Sequence, residues 1–272
     1  MTSWLGQRLS SYLSQRLKSH EPTVAMDLAR YAACLRAADV LLVEGDTRLS
    51  VAIKYLTQST WSHAALYVGP DAGLRNDAGE PLVFIEADVA AGVRALGMDA
   101  YRGLHCRICR PVGLTGVERR QVVDYARSRL GHRYDLKNVI DLARFLFPTP
   151  PVPVSWRRRM LNLGSGDPTR AICSTLIAQC FDAVKYPILP QVETVAASGA
   201  GDGRSRRVHH LRHHSLYVPR DFDVSPYFQI VKPTLTLGFD FHRLVWAAEE
   251  GAPDGAGAVD GQAGAASRDT VS

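Results

Sequence analysis

Residues 62–69, Ser62-His63-Ala64-Ala65-Leu66-Tyr67-Val68-Gly69 (SHAALYVG), make a short apolar run that opens on a histidine and closes on Gly69-Pro70. The run predicts a β-strand. Strand alternation puts His63 on the same face as Ala65 and Tyr67. A histidine there is either a core residue with both ring nitrogens satisfied or a base held by rigid backbone. Glu86 poses the same question at the end of the apolar run Leu82-Val83-Phe84-Ile85. A carboxylate in such a run needs a partner if it is buried.

The third residue of interest lies downstream, in Arg170–Cys180 (RAICSTLIAQC). A thiol attacks only as its thiolate, so a reactive cysteine needs something that lowers its pKa. The first turn of a helix supplies unpaired N–H groups and positive potential. Cys173 follows the turn-rich Gly164–Pro168 and falls at the expected helix start, whereas Cys180 lies two turns on, beside Phe181. Position favours Cys173. A cysteine on an apolar helix is also an ordinary packing residue. A Cys173–His63–Glu86 set would account for all three placements together, as nucleophile, base and orienting carboxylate.

Around these residues the chain alternates short strands and helices. DVLLVEGD, PLVFIEADV and LHCRICRPVGL predict strands, and VAIKYLTQS a helix. TGVERRQVVDYARSRLG has a capping threonine with an acid three residues later and closes at Gly131. YDLKNVIDLARFLF predicts a further helix, ended by the proline cluster PTPPVPV. Residues 148–170 are a Pro/Arg-rich insertion, and 192–214 read as an irregular exposed His/Arg loop. Residues 1–20 set Leu5, Leu9, Leu13 and Leu17 at helical spacing beside Arg8, Arg16 and Lys18. That helix fits either an anionic membrane surface or its own domain. Residues 248–272 are rich in Gly and Ala and predict disorder. The body, 21–247, reads as one α+β domain with a small antiparallel sheet packed against helices.

The 272 residues are 46% hydrophobic and 22% charged, ordinary for a globular chain, and carry a net charge of +5. The acidic tail from Glu249 is −4, which leaves +9 on residues 1–248. A basic body attracts anionic partners without choosing among them. No apolar run reaches 18 residues, and no secretory leader is apparent, so the expectation is a cytoplasmic protein with reduced thiols, peripheral on the inner membrane face. Cys106-x-x-Cys109 lies in a strand, where residues three apart face opposite sides, so a structural role is expected rather than zinc. His209, His210, His213 and His214 read as a solvated loop, and Arg157-Arg158-Arg159 as a solvated face or a contact for phosphate headgroups. Nothing calls for a metal or cofactor.

The order of motifs GDTRLSVAIKYLTQSTWSHAALYVG, FIEADVAAGV, ARSRLGHRYD, ICSTLIAQCF and VPRDFDVSPYF, across residues 39–230, resembles the YiiX/YaeF-like permuted papain-fold amidases. These are a circularly permuted branch of the NlpC-type cysteine hydrolases, related to lecithin:retinol acyltransferase. The resemblance implies a circularly permuted papain-like (NlpC-type) fold with His63 as base, Glu86 as its orienting residue and Cys173 as nucleophile. Histidine precedes cysteine by 110 positions, as permutation requires. The implied activity is a thiol hydrolase, amidase or acyltransferase acting on an amide or ester bond of a lipid or peptide substrate. The alternatives are a cell-wall peptide amidase and an inactive papain-like module that binds anionic membrane or nucleic acid. Nucleic acid is the less favoured partner.

Overall fold

The structure is a computed structural model of the chain, and it describes residues 15, 27–88, 91–133, 172–196 and 205–245. The N-terminal helix expected at 1–20 (Gln15 apart), the helix expected from Tyr134, the insertion 148–170 and the tail beyond 245 lie outside the described residues. The chain divides into two compact units, Met1–Gly238 and Phe239–Ser272. The second unit shows one short turn, Phe241–Arg243, capped by Asp240.

The first unit is built on a six-stranded antiparallel sheet, larger than the small sheet expected. Its strands are β1 (Val40–Glu44), β2 (His63–Tyr67), β3 (Phe84–Asp88), β4 (Gly92–Leu96), β5 (His105–Pro111) and β8 (Phe228–Val231), in the order β4-β3-β2-β1-β5-β8. The central strand β1 carries the run Val40-Leu41-Leu42-Val43, and all four residues are buried. An unbroken apolar run of this kind marks a strand covered on both faces.

Two cores confirm that. On one face Leu42, Ala64, Leu66, Ile85 and Ala87 meet α3 (Gly116–Ser128) through Val122 and Ala126, and α4 (Ile172–Asp182) through Leu176, Ile177 and Phe181. On the other, Leu41, Val43, Ala65, Tyr67 and Phe84 pack with Cys34 of α1 (Leu28–Cys34) and with Tyr101. Cys106 belongs to the second core and Cys109 to the first, so the two thiols do face opposite sides. All five cysteines are free.

Local sequence explains the helix ends. Thr115 accepts from the Glu118 N–H and Glu118 accepts from the Thr115 N–H, the reciprocal cap predicted from their spacing. α2 (Arg48–Thr57) starts at a Thr47 cap and stops at Gln58 in the left-handed region. α4 ends before Tyr186-Pro187, as expected.

Several elements were not foreseen, among them α1, β4 and β8. β4 is only five residues long. The segment expected as an irregular loop at 192–214 instead contains an antiparallel ribbon, β6 (Gln191–Ala196) with β7 (Ser205–His210). The β-branched residues Val192, Thr194, Val195 and Val208 favour extended backbone. The Gly- and Ser-rich centre of the segment hid that preference. The chain closes with α5 (Pro219–Val224) and the short α6 (Pro233–Thr236) on either side of β8.

Gly92 opens β4 at φ +77°, and a Cβ there would stand 2.5 Å from the His132 carbonyl oxygen. That carbonyl accepts from the Val93 N–H, and Val93 accepts from the Gly131 N–H, which ties the end of α3 to the sheet edge. Gly113, at φ +84°, faces open space. Gly113→Ala is expected to cost about 1 kcal/mol of strain, and Gly92→Ala roughly 2–3 kcal/mol because the backbone must also shift. Urea denaturation of the two variants checks the difference.

Candidate functional site

The β2 and β3 strands pair only at Leu66↔Ile85 and Tyr67↔Phe84. The Val68 N–H donates to the Val83 carbonyl on that side. Alternation directs the Ala64 N–H the same way, toward a stretch of β3 that is no longer paired. The two strands therefore part at the His63 end, and the open N–H of Ala64 is met by the Cys173 sulfur.

Three elements converge on this notch. His63 and Glu86 project on the side of Ala65, Tyr67 and Phe84. Cys173 arrives on the first turn of α4, whose apolar stripe packs on the opposite face. His63 Nε2 lies 2.6 Å from Glu86 Oε2. The ring also hydrogen-bonds Cys173. With Nε2–H given to the carboxylate, Nδ1 is the nitrogen left for sulfur. All three residues singled out from sequence are thus brought together.

Glu86 is only 3% exposed, and four donors meet its two oxygens. His63 Nε2 and the Tyr101 hydroxyl reach Oε2 at 2.6 Å each, while Arg94 Nε and Nη2 reach Oε1 at 2.9 and 2.8 Å. An ionised carboxylate offers about four acceptor sites, and all are taken. Burial by itself would raise the Glu86 pKa, but the His63 charge, its hydrogen bond and those of Tyr101 and Arg94 overcome it and hold the group down at about 2. Glu86 is therefore ionised at neutral pH.

The other two titrations follow. Burial would lower the His63 pKa, but the Glu86 and Cys173 charges and hydrogen bonds raise it well above the ordinary value. Burial would raise the Cys173 pKa, but His63, the Ala64 N–H and Ser174, whose Oγ is 4.0 Å from the sulfur, bring it below the ordinary thiol value. The start of a helix acts in the same direction. Cys180 has apolar neighbours, and burial drives its thiol up. Both shifts favour the charged pair of thiolate and imidazolium, and Cys173 and Cys180 shift in opposite directions.

Sequence reasoning missed Arg94, Tyr101 and the Ala64 N–H. Arg94 stands directly across from Glu86 in the β3–β4 register. Such a cross-strand ion pair is visible only once β4 is recognised. Tyr101 comes from the turn Met98–Tyr101 and packs edge-on against Phe84 at 5.2 Å. Among the described residues no three His, Cys, Asp or Glu side chains group so as to hold a metal, and no helix is long and apolar enough to cross a membrane. Tyr134, Asp135 and Arg157–Arg159 lie outside the described residues.

The sequence matches no protein-family model and no curated protein. Among solved structures, the metalloprotein YiiX from Escherichia coli O157:H7 is similar at 15% identity, over 72% of this chain and 96% of that one, with a TM-score of 0.41. A likeness of that size carries nothing about the reaction or its ligands.

The Glu86 carboxylate has a measurable consequence. Its pKa falls from 4.5 to about 2 on folding. At about 1.4 kcal/mol per pH unit this is on the order of 3 kcal/mol. A depressed carboxylate stabilises the fold above its unfolded value, and that contribution drains away as pH falls from about 5 toward 2. Glu86→Gln lacks the group, so its stability is expected to be lower at pH 7 and to change less over that window. Chemical denaturation at a series of pH values tests this, and parallel pH curves for the two proteins would contradict it.

Proposed function

We propose that the protein is a cysteine hydrolase or acyltransferase on a circularly permuted papain-like scaffold, cleaving an amide or ester bond. The observation that carries this reading is the continuous row Cys173–His63–Glu86, in which the thiol pKa is lowered and the ring pKa raised. The chain order, histidine before cysteine, and the helix that presents the sulfur agree with it.

In this reading His63 Nδ1 holds the proton that Cys173 has given up. The sulfur attacks the substrate carbonyl carbon, and the carbonyl π pair moves onto oxygen. The backbone N–H of Cys173, in the first turn of α4, is the donor for that oxyanion. Collapse of the intermediate breaks the C–N or C–O bond, and the His63 proton goes to the departing amine or alcohol. A thioester remains. Water or another acceptor, deprotonated by His63, attacks it and releases Cys173. Glu86 keeps the ring in the tautomer and orientation each step needs without accepting a proton.

For the substrate, the basic body and the amphipathic sequence 1–20 favour an acylated or lipid substrate at an anionic membrane surface on the cytoplasmic side. Flotation with vesicles containing phosphatidylserine compares the full chain with one lacking residues 1–20. The full chain is expected to float and the shortened one to remain below; equal behaviour removes the membrane from the proposal.

The catalytic reading is tested by alkylation with iodoacetamide, followed residue by residue against pH. Cys173 is expected to react well below ~8.5, the value near which a free thiol titrates, and to slow in His63→Ala. Cys180 is expected to stay inert until the protein unfolds. A Cys173 that titrates like a free thiol would mean a non-enzymatic module on the same scaffold.

A further inference from the structure

We propose that Arg94 is a positioning residue whose guanidinium, held across from Glu86 by strand register, sets how tightly His63 grips its proton. The inference rests on the thiolate–imidazolium reading of the site. The two carboxylate oxygens are divided between partners: Oε1 takes both Arg94 donors, and Oε2 takes His63 and the Tyr101 hydroxyl. Charges therefore alternate along one row: Cys173 negative, His63 positive, Glu86 negative, Arg94 positive.

Among the described residues, the titratable groups placed against Glu86 and Arg94 besides His63 are Asp88 and Tyr101, with Cys106 behind Tyr101. Asp88 Oδ2 lies 3.7 Å from Arg94 Nη2, at the rim of the site. Tyr101 is buried and beside an anion, which holds its phenol protonated, so it donates a hydrogen bond and adds no charge. Cys106 faces Tyr101 from β5, and burial pushes its thiol up to about 12, so it too is neutral. Among the described residues, Arg94 is thus the cation that offsets Glu86 on the side away from the ring. Without it the full carboxylate charge would bear on His63. The imidazolium would become more stable and a poorer acid toward the leaving group, whose protonation the reaction requires. With Arg94 in place the four-membered row is neutral, and the ring keeps a proton it can still surrender.

The geometry also makes Arg94 open to test. Its side chain is 45% exposed, so shortening it leaves no closed cavity. The readout is NMR titration of the His63 ring in the full-length chain, its resonance identified by loss in His63→Asn. Arg94→Ala is expected to move the His63 midpoint to higher pH, and Arg94→Lys, which keeps the charge but not the fork, to stay near the starting protein. Thermal melts of each variant confirm that the fold persists. An unmoved midpoint in Arg94→Ala means that the residue only braces β3 against β4, and overturns the proposal. A downward move, with Glu86 swung off the ring, overturns it as well, as does an equal upward move in both variants. Alkylation of Cys173 in the unmodified protein reports separately: ordinary thiol reactivity there defeats the catalytic reading, while the His63 titration still decides the part played by Arg94.

Discussion

A carboxylate shut away from water is tolerated only when its acceptor sites are filled and its charge is balanced. Glu86 meets both conditions through side chains drawn from three other places: His63 on β2, Arg94 on β4 and Tyr101 on the turn after β4. Each donor therefore constrains an element. A slip of one residue between β3 and β4 would turn Arg94 to the other face and leave a buried anion uncompensated. Loss of the turn at Met98–Tyr101 would remove both a hydrogen bond and the ring that packs on Phe84. The site and the edge of the sheet stand or fall together.

The same anion acts beyond its own contacts. It fixes which ring nitrogen of His63 carries a proton and which faces sulfur, and so decides what Cys173 meets. The sulfur itself is reached only because β2 and β3 stop pairing after Leu66 and Ile85. That parting leaves the Ala64 N–H free for the Cys173 sulfur. His63 and Glu86 belong to one face, and the helix bearing Cys173 packs on the other. An uninterrupted ladder would have kept them apart. A break in hydrogen bonding that would be a loss at most sheet positions is here the condition for assembling the site.

Much of this was legible from local pattern. The strand at His63, the buried run of β1, the Thr115–Glu118 cap and the start of α4 all follow from the spacing of a few neighbouring residues, because strand and helix periods are local properties. The different standing of Cys173 and Cys180 was legible only in part: spacing put Cys173 at a helix start, but the His63 charge and hydrogen bond that lower its pKa are tertiary. The ribbon of β6 and β7 was missed because turn-forming residues outnumber the β-branched ones in that segment. β4 was missed because a five-residue edge strand beginning with glycine leaves little periodicity to see.

What the sequence determined by itself was most of the central sheet, the helices α2, α3 and α4, and the short list of candidates Cys173, His63 and Glu86. It could not show that Arg94 and Tyr101 complete the set. An arginine eight residues after a glutamate is ordinarily a solvated charge, and a tyrosine in a turn is ordinarily packing. Their roles come from strand register and from the close approach of separate elements. Those are decided by how whole faces bury against one another, and no local spacing encodes them.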